Sequence, residues 1–133
     1  MVIEPFDAVI IGGGPAGAAA ARLLASWGHS VRLLTRTVDH TRSLGESLPP
    51  SCEKLFDLLG VTAAIDTAGF LASSGNTVWW GDQTSRTASF TDGTSGLQVV
   101  RHDLDALLLR QATEAGAGVL TDALVRDTQL APS

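Results

Sequence analysis

The spacing of hydrophobic residues changes at a cluster of glycines near the N-terminus. Residues 6–11 form a short apolar and β-branched run, which is typical of a strand buried on both faces. Residues 15–27 are rich in alanine and leucine, which favour a helix, and Gly28 stands where such a helix would end. Residues 29–35 return to an extended apolar pattern, which predicts a second strand parallel to the first. The pattern therefore predicts a βαβ unit in an α/β fold.

The same segment is apolar over about 20 residues, a length that also suits a membrane span or a signal peptide. Glu4 and Asp7 precede it without any Lys or Arg, whereas a signal peptide begins with positive charge. Glycines and Pro15 interrupt the apolar run between strand and helix. We therefore expect a strand, a turn and a helix, with no membrane association.

Polar stretches and turn residues divide the rest of the chain into further elements. Residues 36–50 are polar and irregular and end in two prolines, which predicts a long loop. Residues 51–60 predict a helix with Ser51 as its N-cap, and its leucines and Cys52 share one apolar face. Cys52 is therefore expected in the core, and the helix is expected to end at Gly60.

A segment of antiparallel strands is expected over residues 77–101, where Thr, Val, Trp and Phe accumulate around a Gly-Asp and an Asp-Gly turn. Trp79 and Trp80 are assigned to the sheet or the core. Residues 103–115 then predict an amphipathic helix that ends at Gly116, followed by another short strand or a hairpin. The three strands of the segment are expected near residues 78–80, 86–90 and 97–100.

The composition indicates one globular domain over residues 1–133, because 44% of the 133 residues are hydrophobic and 17% are charged. The net charge is −5 and the basic residues form no stripe, so nucleic acid is not an expected partner. The single cysteine excludes an internal disulfide, and we expect a reducing, cytoplasmic location. The three histidines lack the spacing of metal ligands, and we assign no metal site.

A G-x-G-x-x-G motif at Gly12, Gly14 and Gly17 lies directly after the first predicted strand and before the first predicted helix. In this context the motif is typical of dinucleotide binding. The first glycine allows a tight turn, the second lets the backbone approach a pyrophosphate, and the third lets the helix pack closely on the strand. N–H groups and the dipole at the helix start attract the phosphates. The expected phosphate loop consists of Gly12, Gly13, Gly14, Pro15, Ala16 and Gly17.

The residue that binds the adenosine ribose in such sites lies about 20 residues after the motif and is usually acidic. Thr35 occupies this position, and its hydroxyl offers one hydrogen bond without the charge of a carboxylate. Asp39 would take the role only if the second strand extended further. Arg36 supports an alternative, because an arginine here accepts the 2′-phosphate of NADP. A nicotinamide-binding Rossmann domain therefore stays open at this point.

Three blocks in order carry a family resemblance over residues 7–125: "GGGPAG", "RSLGESLPP" and "VVRHDLDALLLRQATEAGAGVLTDALV". With them the chain resembles the N-terminal part of the FAD-dependent oxidoreductases of the aromatic-hydroxylase class. This class includes para-hydroxybenzoate-hydroxylase-like monooxygenases, geranylgeranyl-reductase-like enzymes and tryptophan-halogenase-like flavoproteins. The resemblance implies a Rossmann-like βαβ FAD-binding domain with a small antiparallel β insertion, and FAD as the cofactor.

The resemblance also implies which residues contact FAD outside the glycine turn, which itself would hold the pyrophosphate. Thr35 would approach the ribose, and Val125 would lie near the adenine through its backbone. A loop with an arginine followed by Gly-Glu-Ser would pass beside the flavin. Arg101 would lie along the cofactor, and its ordinary alternative is a surface salt bridge with a neighbouring aspartate. Together with Arg36, the expected cofactor-binding residues outside the turn are Thr35, Arg42, Glu46, Ser47, Arg101 and Val125.

By resemblance, the expected function is that of the FAD-binding portion of a flavin-dependent oxidoreductase. A monooxygenase that hydroxylates a small organic substrate fits best, with NAD(P)H as a candidate electron donor. Halogenation fits less well, because the halogenase subgroup needs an active-site lysine further downstream than Lys54, the only lysine. The pair Trp79 and Trp80 also departs from that subgroup's W-x-W-x-I-P element. No residue is assigned a catalytic role.

Family members are considerably longer and carry a second Gly-Asp motif, for which Gly81 and Asp82 come too early. The resemblance therefore implies that the chain corresponds to an N-terminal portion of the family architecture. A sheet without its later strands exposes an edge and apolar surface, so a second chain or self-association is an expected partner. A remnant that oligomerises without doing chemistry stays a third hypothesis.

Overall fold

A computed structural model describes residues 5–36, 44–81 and 84–129. Contacts divide the chain into two compact units, the first made of Met1–Arg42 and Leu104–Ser133 and the second of Ser43–Asp103. None of the helices in the described ranges combines the length and the apolar composition that crossing a bilayer requires. In chain order the elements are β1 (Ala8–Ile11), α1 (Pro15–Ser26), β2 (Val31–Leu34), β3 (Gly45–Leu48), α2 (Cys52–Leu59), α3 (Thr62–Thr67), β4 (Leu71–Ser73), β5 (Gly75–Trp79), β6 (Ser85–Ser89), β7 (Gly96–Val100), α4 (Arg101–Glu114) and β8 (Gly118–Leu120).

The first unit contains a three-stranded parallel sheet in the order β1-β2-β8. Ala8 lies opposite Val31, and Leu34 lies between Ile11 and Leu120. The strand, helix and second strand predicted from hydrophobic spacing are therefore confirmed as a βαβ unit. After α4 the chain forms a single parallel strand, β8, rather than a hairpin.

Helix α1 begins and ends close to where the sequence predicts. Pro15 occupies its first position, where the missing N–H is tolerated. Gly28 has a φ of 90°, and its N–H donates to the carbonyl of Ala25, which ends the helix. The helix packs on one face of the sheet through small residues, since Ala21 is fully buried in one cluster with Leu33 of β2.

Helix α4 contributes to the same core with its predicted apolar face. Leu104, Leu107 and Leu108 are buried, and Ala112 belongs to the cluster that contains α1 and β2. Gly116, with a φ of 106°, follows the helix. The predicted amphipathic helix is therefore confirmed, with a start two residues earlier than expected.

The opposite face of the parallel sheet exposes aliphatic side chains. The register aligns Ile11, Leu34 and Leu120 in one row, and Val9, Ile11 and Leu120 are 55%, 58% and 49% exposed. Parallel sheets are ordinarily covered on both faces. Association with a second chain or a second copy stays a prediction. This exposed face and the outer edge of β1 are the surfaces that such a partner would cover.

The second unit contains two antiparallel sheets within the described residues, one in the order β3-β7-β4 and one formed by β5 and β6. The strands predicted over residues 77–101 are thus confirmed as β5, β6 and β7. Asp92 and Gly93 have left-handed φ values of 63° and 72°, which confirms the Asp-Gly turn. Gly81 also has a positive φ, while Asp82 lies outside the described residues.

The prediction of a loop throughout residues 36–50 is wrong in its C-terminal part. Gly45–Leu48 forms β3, which pairs with β7 so that Glu46 lies opposite Val99. Three of the four residues of β3 are exposed, so no local apolar pattern marks it as a strand. It is a strand because β7 supplies its hydrogen-bonding partner. The short elements α3 and β4 were also absent from the predicted pattern.

Helix α2 departs from the prediction at its start and on its apolar face. Ser51 occupies the predicted N-cap position, but its backbone angles are helical and its side chain makes no capping hydrogen bond. Leu55 and Leu58 are 57% and 69% exposed, and Cys52 is half-buried rather than in the core. The predicted end is confirmed, since Gly60 has a left-handed φ of 65°.

The tryptophan pair is also not part of the core. Trp79 lies on β5, as a sheet residue, but Trp79 and Trp80 are 64% and 79% exposed. A two-stranded antiparallel sheet has too little surface to bury such large side chains.

Gly17→Ala tests the close packing of α1 on the glycine turn. A Cβ on Gly17 would collide with the carbonyl oxygen of Gly12, so the start of the helix would have to move. We expect a loss of about 1–3 kcal/mol in the free energy of unfolding, measured by urea denaturation. Gly14→Ala is the matched control, because a Cβ there meets nothing within 4 Å and the φ of −72° suits alanine. Equal stability of the two variants would contradict the prediction.

Asp7 connects the segment before β1 with the segment before β2. Its Oδ2 accepts hydrogen bonds from the backbone N–H of Ser30 at 2.7 Å and from the Ser30 hydroxyl at 2.8 Å. These bonds favour the charged form, the backbone bond most strongly, and hold the pKa of Asp7 below its ordinary value of about 4.

Asp7→Asn is therefore expected to lower stability in a pH-dependent way. Because the pKa is lower in the folded state, the carboxylate stabilises the fold above about pH 4, and this contribution is lost as the pH falls through the folded-state pKa. Urea denaturation should show a less stable variant at neutral pH and a difference that shrinks in acid. A difference of constant size over this range would argue against the role of Asp7.

Candidate functional site

The glycine turn follows β1 and is held by a backbone contact. The N–H of Gly12 donates to the carbonyl of Leu34 at 2.8 Å, which ties the turn to β2. Gly12 has a φ of 109°, a conformation that favours glycine. Gly13 is buried, whereas a Cβ on Gly14 would meet nothing within 4 Å. The turn therefore presents Gly14 to open space.

The start of α1 offers N–H groups that the helix itself does not use. Gly14 is the N-cap with an extended backbone and no side-chain cap, and Pro15 follows it. The first bond within the helix runs from the Ala18 N–H to the Gly14 carbonyl at 3.0 Å, so the N–H groups of Ala16 and Gly17 precede it. No acidic side chain lies in the first turn. These donors and the positive end of the helix dipole suit an anion.

Thr35 lies at the end of β2, beneath the glycine turn. Its N–H donates to the carbonyl of Leu120 at 2.9 Å, and its carbonyl accepts from the N–H of Ala123 at 3.0 Å. The side chain is 9% exposed, and its hydroxyl donates to the carbonyl of Arg36 at 3.3 Å. A Cβ on Gly13 would lie 2.6 Å from Oγ1 of Thr35, so the two residues are in direct contact.

The parallel strands bring the predicted residues of the first unit to one edge of the sheet. The glycine turn follows β1, Thr35 and Arg36 follow β2, and residues 121–129 follow β8 without forming a helix or strand. Arg36 is exposed and Val125 is half-buried. In α/β proteins, nucleotides ordinarily bind at this edge, where the carboxyl ends of parallel strands meet.

In the second unit, two of the predicted residues pair with each other. Arg101, the first residue of α4, donates to Oε2 of Glu46 on β3 at 2.7 Å, and the side chains are 36% and 45% exposed. The hydroxyl of Ser47 donates to Oε1 of Gln98 on β7 at 2.7 Å. Sequence reasoning missed Gln98, because only the β3–β7 register places it opposite Ser47. Arg42 lies outside the described residues.

The second unit also contains a cavity of about 380 Å³, where α2 and α3 face the turn before β7. Its lining includes the apolar side chains of Phe56 and Ile65, the carboxylates of Asp66 and Asp92, and the thiol of Cys52. The sequence pattern did not indicate this cavity, because it did not predict α3.

A family model and several known proteins match most of the chain. A family model described as "FAD binding domain" matches residues 5–129. The flavin-dependent halogenase armH1 of Armillaria mellea is 34% identical over 130 residues, which cover 93% of this chain and 24% of that protein. The FAD-dependent monooxygenase atnJ of Arthrinium sp is 34% identical over 117 residues, which cover 84% of this chain and 27% of that protein.

A solved structure shares the same fold. The myxobacterial chondrochloren halogenase CndH, described as a variant of FAD-dependent halogenases, has a TM-score of 0.80 and 35% identity, over 90% of this chain and 29% of that chain. The relatives are mostly flavin-dependent halogenases and include a monooxygenase. The chain spans about a quarter of the length of the curated relatives it matches.

The Glu46–Arg101 ion pair is expected to contribute little to stability, because both side chains are partly exposed. A double-mutant cycle of Glu46→Gln and Arg101→Gln, followed by urea denaturation, should give a coupling of about 0.2–1 kcal/mol that weakens at about 1 M salt. The cycle of Ser47→Ala with Arg101→Gln is the control, since Ser47 bonds to Gln98 instead. Coupling of the same size in both cycles would show that the ion pair is not its source.

Proposed function

The chain belongs to the FAD-binding domain family of flavin-dependent oxidoreductases, and from this premise we propose that it is the FAD-binding part of a monooxygenase that hydroxylates a small organic substrate. The observation that carries the proposal is the start of α1. The N–H groups of Ala16 and Gly17 precede the first intrahelical bond, and the position of Gly14 is open. The diphosphate is the group of FAD that fits these donors.

The residues of the glycine turn fit the nucleotide half of FAD. Because Gly14 has no Cβ, a phosphate oxygen can approach the backbone closely. The chain has a net charge of −5, but the first turn of α1 carries no acidic side chain that would repel a phosphate there. Bound flavin would supply the redox chemistry, and the residues of the chain bind and orient it.

The proposal also assigns contacts to the flavin half, following the family resemblance. Glu46, Ser47 and Arg101 would supply them. The Glu46–Arg101 pair and the Ser47–Gln98 pair lie on opposite faces of the β3–β7 sheet, because successive strand side chains alternate sides. The Glu46–Arg101 pair therefore supports a contact from one face, where a planar guanidinium suits the polar edge of a ring system.

The remaining assignments follow the same resemblance. Arg42 would lie beside the flavin with the Gly-Glu-Ser segment, and the backbone of Val125 would lie near the adenine. Arg36 is exposed after β2, where an arginine would also suit a 2′-phosphate, but the family match over residues 5–129 favours FAD over a nicotinamide dinucleotide. NAD(P)H is proposed as the electron donor.

Halogenation is the second candidate, because the relatives are mostly flavin-dependent halogenases. Hydroxylation is favoured by the position of Lys54, the only lysine of the 133 residues, which is exposed on α2 and precedes the position that the halogenase subgroup uses. Product mass spectrometry separates the two when the chain is supplied with FAD, NADPH, a flavin reductase, dioxygen, bromide and phenol. A phenol product that gains an oxygen atom supports hydroxylation, and one that gains a bromine atom supports halogenation. If neither product forms, both activities are contradicted for this chain.

Binding of FAD to the purified chain tests the central part of the proposal. We expect flavin absorption bands to remain with the protein after gel filtration, and fluorescence titration to give saturable binding. Gly14→Ala should weaken FAD binding by at least about tenfold, or about 1.4 kcal/mol, because its Cβ occupies space that the diphosphate needs.

Two controls make this measurement specific. Ala20→Ser changes an exposed residue of α1 and should leave FAD affinity unchanged. NADPH should not compete with FAD for the site. A chain that binds no flavin, or a Gly14→Ala variant with the parent's affinity, would refute the proposed diphosphate site.

A further inference from the structure

Thr35 is a buried polar residue, and its surroundings differ from those expected of a residue that binds ribose. Only 9% of the surface of Thr35 is exposed. A Cβ on Gly13 would lie 2.6 Å from its Oγ1, 2.8 Å from its Cβ and 3.1 Å from its Cγ2. Three side-chain atoms of Thr35 therefore face the same glycine of the turn, and little of the side chain is left to reach a ligand.

The backbone of Thr35 is fixed from several directions. Its N–H bonds to Leu120, and its carbonyl bonds to Ala123. The preceding residue, Leu34, accepts the N–H of Gly12 at 2.8 Å. These bonds fix the backbone of Thr35 between β8 and the glycine turn, so its Cβ stays next to Gly13.

The hydroxyl of Thr35 has only a weak partner of its own. It donates to the carbonyl of the next residue, Arg36, at 3.3 Å, which is long for a bond from a hydroxyl. We therefore expect the packing of the Thr35 side chain against Gly13 to have a larger effect on the turn than this hydrogen bond.

We propose that Thr35 is a positioning residue of the phosphate loop, which sets the position of Gly13 and, through it, the direction of the N–H groups at the start of α1. Gly13 directly precedes Gly14, the N-cap of α1, so a shift of Gly13 changes the orientation of the helix start. This role rests on the proposed function, in which those N–H groups hold the FAD diphosphate.

Three substitutions separate this role from a contact with the ribose. Thr35→Val keeps the shape and removes the hydroxyl, Thr35→Ser keeps the hydroxyl and removes the methyl group, and Thr35→Ala removes both. As a positioning residue, Thr35 should tolerate Val with an FAD affinity within about threefold of the parent, whereas Ala should weaken binding about tenfold and Ser by an intermediate factor. Retained affinity in Thr35→Ser with loss in Thr35→Val would overturn the proposal in favour of a ribose contact.

Amide chemical shifts measured without nucleotide provide an independent test. Thr35→Ala should shift the ¹⁵N–¹H signals of the phosphate loop, and Thr35→Val should leave them close to the parent. Ala112→Gly is the matched control, because Ala112 is fully buried in the core of the first unit and the substitution destabilises α4 without touching the turn. It should change neither the loop signals nor the FAD affinity.

The two measurements distinguish the failure of this inference from the failure of the proposed function. If the parent chain bound no FAD, the proposed function would fail, and the amide shifts would still decide whether Thr35 positions the loop. If FAD bound but Thr35→Ala left the loop signals unchanged, the positioning role alone would be refuted.

Discussion

The first unit depends on how closely the start of α1 approaches the end of β1. Gly17 lies against the carbonyl oxygen of Gly12 so tightly that no Cβ fits between them. The close approach continues along the helix, where Ala18 and Ala21 are almost completely buried. Because the start of α1 is held at this place, its unpaired N–H groups lie at the edge of the parallel sheet where the carboxyl ends of β1, β2 and β8 meet.

An anion site built in this way relies on backbone geometry rather than on charged side chains. Such a site is compatible with a net charge of −5 and a single lysine, so these features do not oppose the proposed diphosphate site. It also makes the site sensitive to whatever sets the position of the turn. Thr35 is buried against Gly13 at the position where an acidic ribose ligand is usual, and in our proposal it positions the turn instead of contacting the cofactor.

The comparisons place the same FAD-binding part in proteins named as halogenases and as a monooxygenase. This is physically reasonable, because flavin supplies the reactivity, whereas the surrounding protein decides which substrate meets it. The chain matches about a quarter of the length of these relatives. In the proposed function the glycine turn binds the cofactor, and the choice between hydroxylation and halogenation depends on groups outside this turn.

Local features of the sequence determined the βαβ unit, the glycine turn and most helix ends. Strand and helix periods depend on neighbouring residues, and Gly28, Gly60 and Gly116 end or follow helices because glycine tolerates a positive φ. The order of the three family blocks was likewise visible without coordinates. These features identified the FAD-binding family, and they predict the residues of its phosphate loop.

Tertiary structure alone decided the features that depend on distant partners. Gly45–Leu48 is a strand because β7 pairs with it, and Glu46 meets Arg101 although 55 positions separate them. Leu55 remains exposed on a helix whose pattern suggested a buried face. The side chain of Thr35 is buried against Gly13 because the glycine turn passes next to it. The polarity of threonine does not predict this contact. In each case the result depends on whether a residue from far away in the chain makes a contact, and a local sequence pattern carries no information about that.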